Sequence, residues 1–224
     1  MKNKVDDYPS YWKLYDIRAD LESKFGCHPN LNFTRNIKWD WVLSPRPSKL
    51  LDFGGGRGSS GGFLNAHCDA YYRLDPDVTC EPDFKTFEDL PQDMMFDCVV
   101  SCDVFEHIDR HEYYEIFCNI FNVMKDGGKC IITIPNVSHW QKYIGDFDHK
   151  SPAAFHEIGM WMTAAGFDVV DAYLFNLKEK YNERLARINQ DEIGRKVLSV
   201  LHECFEMHPA SHVAICGIKN NTVE

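Results

Sequence analysis

The period of apolar residues changes several times along the chain, and each change predicts an element. From 49 to about 175, short apolar runs alternate with segments of helical period. "KLLDF" (49–53), "AYYRLD" (70–75), "FDCVVS" (96–101), "KCIITIP" (129–135) and "FDVVDAYLF" (167–175) read as strands, being short and rich in β-branched or aromatic residues. Between two of them, Tyr113, Ile116, Phe117, Ile120, Phe121 and Met124 make a helical stripe over 112–124, which "KDGG" ends. Phe155, Ile158, Met162 and Ala165 share a face over 152–165, and Gly166 stops that helix. Both stripes are most simply core-facing. Strands alternating with helices predict an α/β fold, a doubly wound and mostly parallel sheet with helices on both faces.

The flanks follow other patterns. Residues 1–48 are rich in aromatics and predict helices near 9–25 and 34–43, the second with Thr34 as N-cap. "SPRPS" (44–48) then punctuates the chain. These helices either cover an edge of the main domain or form a lid over a ligand. The predicted organisation is a helical cap over 1–48 and a main domain over 49–224 with a helical insertion at 176–206. In that insertion Leu177, Tyr181, Leu185, Ile188, Val197, Leu201 and Phe205 recur at near-helical spacing, with a break around Gly194. "HVAICGIK" (212–219) is the final strand.

Composition narrows the function classes. The 224 residues carry a formal charge of −10, which lowers the expectation of a nucleic-acid partner because such partners need broad positive potential. The nine cysteines are scattered and form no CxxC pair, so zinc-ribbon spacing is absent. Several sit in apolar runs, as Cys98 and Cys130 do. Buried thiols fit a reducing compartment. With no apolar signal core at the N-terminus and no segment of membrane-spanning length, a cytoplasmic protein without membrane attachment is expected.

The strongest local signal is "LLDFGGGRGSSGGFL" (50–64), where six glycines fall within 54–62 directly after the first strand. Glycine lets backbone take positive φ and approach a ligand closely, and the carboxyl end of a parallel strand is where α/β folds bind nucleotide-like molecules. An ordinary tight turn seldom needs so many. The dinucleotide fingerprint GxGxxG fails from Gly54, because its last position is Ser59. From Gly56 it matches through Gly58 and Gly61 but starts two residues later after the strand.

Here the chain resembles the class I S-adenosylmethionine-dependent methyltransferases, over about 49 to 175 and the last strand. "LLDFGGGRG" matches the family's first motif, [DE]xGxGxG, and "YRLDPD" places Asp75 at the end of the second strand. "FEDLPQDMMFDCVVSCDVFEHI" resembles the region of the family's fourth strand, and "MKDGGKCIITIPN" its fifth. The resemblance implies a Rossmann-like fold with an antiparallel last strand, S-adenosylmethionine as cofactor, and a cofactor site of Asp52, Gly54, Gly56, Gly58, Asp75, Phe87 and Cys102. Asp75 would accept both ribose hydroxyl protons, the alternative being a solvated turn acid before Pro76. Many relatives carry an adenine-binding Asp where this chain has Thr86, so that contact passes to backbone near Phe87 or to Glu88.

Methyl transfer needs an acceptor aligned with the sulfonium methyl and, at oxygen, a proton acceptor. "SCDVFEHIDRH" supplies Asp103, Glu106 and His107, while "IPNVSHWQKYIGDFDHK" supplies Asn136, His139, Asp148 and His149. Asp103, Glu106 and His107 would share one helical face. Asp103 and Glu106 could equally form a capping box, with His107 a buried core histidine. "DVFEH" also resembles the acidic-x-x-Glu-His motif of ubiquinone-pathway O-methyltransferases and of small-RNA 3′-terminal 2′-O-methyltransferases. That resemblance implies a divalent metal (Mg or Mn) on Asp103, Glu106, His107 and His149. Without metal, His107 or His149 would be the general base, since imidazole titrates near neutrality. The expected activity is methyl transfer to a small-molecule acceptor, at oxygen. The alternatives are a metal-assisted RNA 3′-terminal 2′-O-methyltransferase and a non-catalytic S-adenosylmethionine-binding module.

Overall fold

In the computed structural model, residues 8–25, 43–58, 61–137, 148–175, 191–205 and 212–220 are described. In chain order they form α1 (Tyr11–Phe25), β1 (Lys49–Phe53), α2 (Gly61–Ala66), β2 (Ala70–Leu74), β3 (Phe96–Cys102), α3 (Tyr113–Asn122), β4 (Met124–Pro135), α4 (Phe155–Ala165), β5 (Phe167–Phe175), α5 (Glu192–Phe205) and β6 (His212–Lys219). One sheet of six strands runs β2-β1-β3-β4-β6-β5. The first three pairings are parallel, and β6 is antiparallel to both β4 and β5. This is the expected doubly wound, mostly parallel architecture. Order reverses at β1, whose successor β2 lies on one side while β3 lies on the other, and that reversal opens a crevice at the carboxyl ends of β1 and β3.

Alternation along the strands sorts side chains onto the two faces. Leu51, Phe53, Val99, Cys130, Ile132 and Ile134 enter the larger core with α3, α4 and Leu21 of α1. Leu50, Cys98, Val100, Ile131 and Cys216 enter a second one with Leu64 of α2 and Leu43. Thus α1 packs on α4: Gly159 leaves room for Leu21, whose Cδ1 would lie 3.1 Å from a Cβ there. For α1 the edge-covering reading fits this contact. The helix expected over 34–43, with Thr34, falls outside the described residues except at Leu43, which lies in a turn.

Three local expectations are corrected. The run compared with the family's fourth strand is the third strand among the described residues. Between β2 and β3 the chain makes 3-10 turns at Val78–Cys80 and Phe87–Asp89 and one isolated parallel bridge, Leu74 to Phe84. "KDGG" does not merely end a helix. It is an insertion within β4, between the pairs Phe96–Met124 and Cys98–Lys129, with Gly127 at φ 76°. Gly194 does not break a helix but sits in the first turn of α5, its N–H donating to Asp191 Oδ2 at 2.7 Å. Asp103 starts no capping box, as described below. Gly166 does stop α4, in the left-handed region at φ 111°.

The second-core face also carries polar side chains at the β1–β2 end. Asp52 is paired in register with Arg73, and its carboxylate, 1% exposed, accepts from the Tyr71 hydroxyl at 2.6 Å. Burial pushes the Asp52 carboxyl up to about 6 against the Tyr71 hydrogen bond and Arg73 charge, which lower it. The folded chain therefore holds a proton that the unfolded chain has released, and stability falls as pH rises from about 4 to about 6. Asp52→Asn keeps an acceptor for Tyr71 and removes that fall. The difference in unfolding free energy between variant and wild type should change by on the order of 2–3 kcal/mol between pH 4 and pH 7. Urea midpoints that stay parallel across this range would refute the assignment.

Candidate functional site

The glycine loop follows from the end of β1. Gly54 N–H donates to Leu74 O at 2.8 Å, so the loop starts tied to β2. Gly54, Gly56 and Gly58 all have positive φ, at 72°, 46° and 75°, a region costly to other residues. Their surroundings differ. A Cβ on Gly54 would meet Val104 Cγ2 at 2.4 Å, so close approach there serves packing within the protein. Among the described residues, a Cβ on Gly56 would meet only Asp75 Oδ2 and Gly54 O, both at 4.0 Å. This open cradle at the switch point fits a nucleoside.

Asp75, 9% exposed, borders the cradle: Oδ2 accepts from Gly56 N–H at 2.8 Å and Oδ1 from Asp77 N–H at 2.9 Å. It is therefore not a solvated turn acid. Each oxygen keeps acceptor capacity for a hydroxyl. Phe87 is half-buried and stacks on Phe53, ring centres 5.6 Å apart. At the adjoining position Asp89 Oδ2 accepts from the Thr86 and Lys85 N–H groups, each at 3.0 Å, fixing the turn. Cys102 ends β3 opposite Thr133, on the crevice side of the switch point. Asp52, expected to bind cofactor, faces Tyr71 beneath the loop, where a Cβ on Gly55 would lie 3.0 Å from its Oδ2.

Beyond β3 the expected helical face is absent. Asp103 adopts φ 54° and Phe105–His107 form a single 3-10 turn whose N-cap is Val104, so neither a helical stripe nor a capping box forms. Asp103 turns toward the sheet. Its N–H donates to Thr133 O at 3.0 Å, its Oδ1 accepts from Thr133 Oγ1 at 3.1 Å, and its Oδ2 lies 3.1 Å from His212 Nε2. Asp103 is not among the residues whose ligand atoms gather within 4.8 Å of one another.

Glu106, His107 and His149 do come together, with one ligand atom from each within 4.8 Å of the others. Glu106 is 2% exposed and its Oε1 lies 3.9 Å from His149 Nε2. The two imidazoles meet edge to face, ring centres 4.9 Å apart, and His107 Nδ1 lies 3.4 Å from Asp148 Oδ2. Main chain enforces this meeting, because Glu106 O accepts from Lys150 N–H at 2.8 Å and Ser151 N–H at 3.0 Å. One carboxylate and two imidazoles suit a divalent ion by chemistry, and closing onto one would draw their donor atoms nearer, since ligands about 2.1 Å from an ion sit roughly 3 Å apart. The same set without metal can accept a proton. Asn136 is buried at the end of β4, and His139 falls outside the described residues.

Sequence reasoning missed Tyr71, Arg73 and His212. An arginine within an otherwise apolar strand was the available signal for Arg73. His212 carried none, since only the insertion of β6 between β4 and β5 brings it to Asp103.

Comparison with known proteins agrees with this geometry. A family model described as a methyltransferase domain matches residues 32–172, more than half of the chain. No curated protein matches the sequence. Among solved structures, the chain is similar to an S-adenosylmethionine-dependent methyltransferase from Archaeoglobus fulgidus, with 19% identity and TM-score 0.63 over 94% of this chain and 100% of that one. It is also similar to Haemonchus contortus phosphoethanolamine N-methyltransferase 2, with 20% identity and TM-score 0.51 over 98% of this chain and 60% of that one. A third likeness is to the N-methyltransferase NodS of Bradyrhizobium japonicum, with 10% identity and TM-score 0.52 over 92% and 98%. With the family model spanning the loop, the crevice and the β3 rim, the chain belongs to the class I S-adenosylmethionine-dependent methyltransferases.

Proposed function

We propose that this methyltransferase acts on an oxygen of a small-molecule acceptor in the cytoplasm. The observation that carries the reading is the pairing of an open Gly56 cradle with a buried Glu106 beside two imidazoles at the same end of the sheet. Bound S-adenosylmethionine supplies an electrophilic methyl group. The protein's residues align and deprotonate. Asp75 and the loop backbone hold the nucleoside, with Phe87 and Cys102 at its margins. His149, backed by Glu106, takes the hydroxyl proton as the oxygen attacks, with His107 packed on its ring. The net charge of −10 and the aromatic N-terminal segment favour a small acceptor over RNA.

A second reading rests on the same cluster: Glu106, His107 and His149 would hold Mg²⁺ or Mn²⁺, and the ion would supply Lewis-acid polarisation of an acceptor oxygen, as in RNA 3′-terminal 2′-O-methylation. Manganese titration by calorimetry separates the two. Binding that His149→Ala abolishes supports the metal reading, and no binding leaves the imidazole as base.

Incubation of a metabolite pool with isotopically labelled methyl donor, followed by mass spectrometry, tests the acceptor class. A labelled small O-methyl product is expected, and label found only on RNA ends or on nitrogen overturns the reading. Gly56→Val should abolish donor binding in calorimetry, because the side chain enters the cradle at a φ that valine resists. Asp75→Ala should weaken the donor by about tenfold or more through loss of charge-assisted bonds. Unchanged affinity in either variant would displace the nucleoside from this crevice.

A further inference from the structure

We propose that Arg73 is a positioning residue for the donor: its guanidinium locks the glycine loop to the turn after β2 so that both halves of the nucleoside cradle move as one body. The inference rests on the reading that Gly54–Gly58 and Asp75 hold the methyl donor.

Three main-chain carbonyls converge on this one side chain. Arg73 Nη1 donates to Gly56 O and to Cys80 O, both at 3.1 Å, and Nη2 donates to Glu81 O at 2.6 Å. Gly56 belongs to the loop after β1. Cys80 and Glu81 belong to the 3-10 turn after β2, which Asp77 caps by accepting from Thr79 N–H at 2.9 Å. The two segments have no strand pairing with each other beyond the ends of β1 and β2. The guanidinium fork therefore supplies a link that regular structure does not, and its fixed planar donors suit several carbonyls at once.

The link is set firmly at its base. Arg73 N–H donates to Asp83 Oδ2 at 2.8 Å and its carbonyl accepts from Phe84 N–H at 3.0 Å, so the backbone is fixed on both sides. Its stem passes under the loop, Cγ lying 3.1 Å from where a Cβ on Gly55 would be, and Nη1 lies 3.6 Å from the corresponding point on Gly58. Glu81, a non-glycine residue at φ 50°, turns its carbonyl onto the guanidinium, a conformation that this contact helps to hold. The consequence reaches the ligand face. With Gly56 O held by Arg73, the N–H of the same residue is directed at Asp75 Oδ2, the acid that borders the cradle.

The test uses the full chain and S-adenosylhomocysteine as probe. Arg73→Met should weaken calorimetric affinity by about tenfold to a hundredfold, the worth of two or three charge-assisted bonds that organise the site. It should also speed amide hydrogen exchange at 54–58 and 78–81 while leaving 131–134 in the central strand unchanged. Arg73→Lys, which keeps charge but not the fork, should fall between and serves if the methionine variant folds poorly. Arg46→Met is the control. Arg46 also clamps main-chain carbonyls, those of Ala66 and Cys68, with Asp69 beside them, but at the opposite end of the sheet. Unchanged affinity in Arg73→Met, or an equal loss in Arg46→Met, would overturn the proposal, since only general stability would then be at stake. Faster exchange at the loop with unchanged affinity would also overturn it. Were wild type to bind no probe while Gly56→Val behaved alike, the donor reading itself would fail, and exchange at 54–58 would still report whether Arg73 holds the loop.

Discussion

The site depends on how one residue is held. Gly56 sits at φ 46°, its N–H given to Asp75 and its carbonyl to Arg73, so both polar groups of this left-handed residue are satisfied by side chains at and just beyond the end of β2. A loop of bare glycine backbone would otherwise sample many conformations, since glycine is the residue with most freedom to lose. Here the freedom needed to reach positive φ is confined by partners drawn from the neighbouring strand. The parallel register of Asp52 on Arg73 brings them within reach. Beneath the loop, the buried Asp52 and Tyr71 pair fills what would be a void with a hydrogen bond rather than with solvent.

The fold was legible because its signals are periodic and local. β1, β5, β6 and the stripes of α3 and α4 follow from apolar spacing alone, and the glycine run after β1 marks the crevice that strand order then creates. What the residue pattern did not show depended on backbone geometry or on distant partners. "KDGG" has the composition of a helix stop, yet Gly127 uses its positive φ inside β4, where the pairing with β3 slips. Asp103 and Glu106 have capping-box spacing, but Asp103 takes a left-handed turn toward Thr133 and His212, and no helix begins there. Asp52 matches the first position of a ligand-binding motif. Side-chain alternation in β1 nevertheless aims it below the loop, at Tyr71, which no motif includes. His149 and Glu106 are far apart in sequence, and the hydrogen bonds from Lys150 and Ser151 to the Glu106 carbonyl are what unite them.

Gly54 shows how the two halves of the site constrain each other. Its motif position suggests a place where ligand approaches backbone, but the space a Cβ would take is filled by Val104. Val104 caps the 3-10 turn that carries Glu106 and His107, and His107 N–H donates to its carbonyl at 3.0 Å. A side chain at 54 would therefore push that turn outward and carry the carboxylate and imidazole with it. The glycine thus sets how near the acid and histidines stand to the glycine loop, while the Cβ position of Gly56 faces open space among the described residues. In methyl transfer the barrier depends on the separation and alignment of the donor carbon and the acceptor atom. One glycine motif can then serve both requirements, with neighbouring residues fixing the cradle and the distance across it.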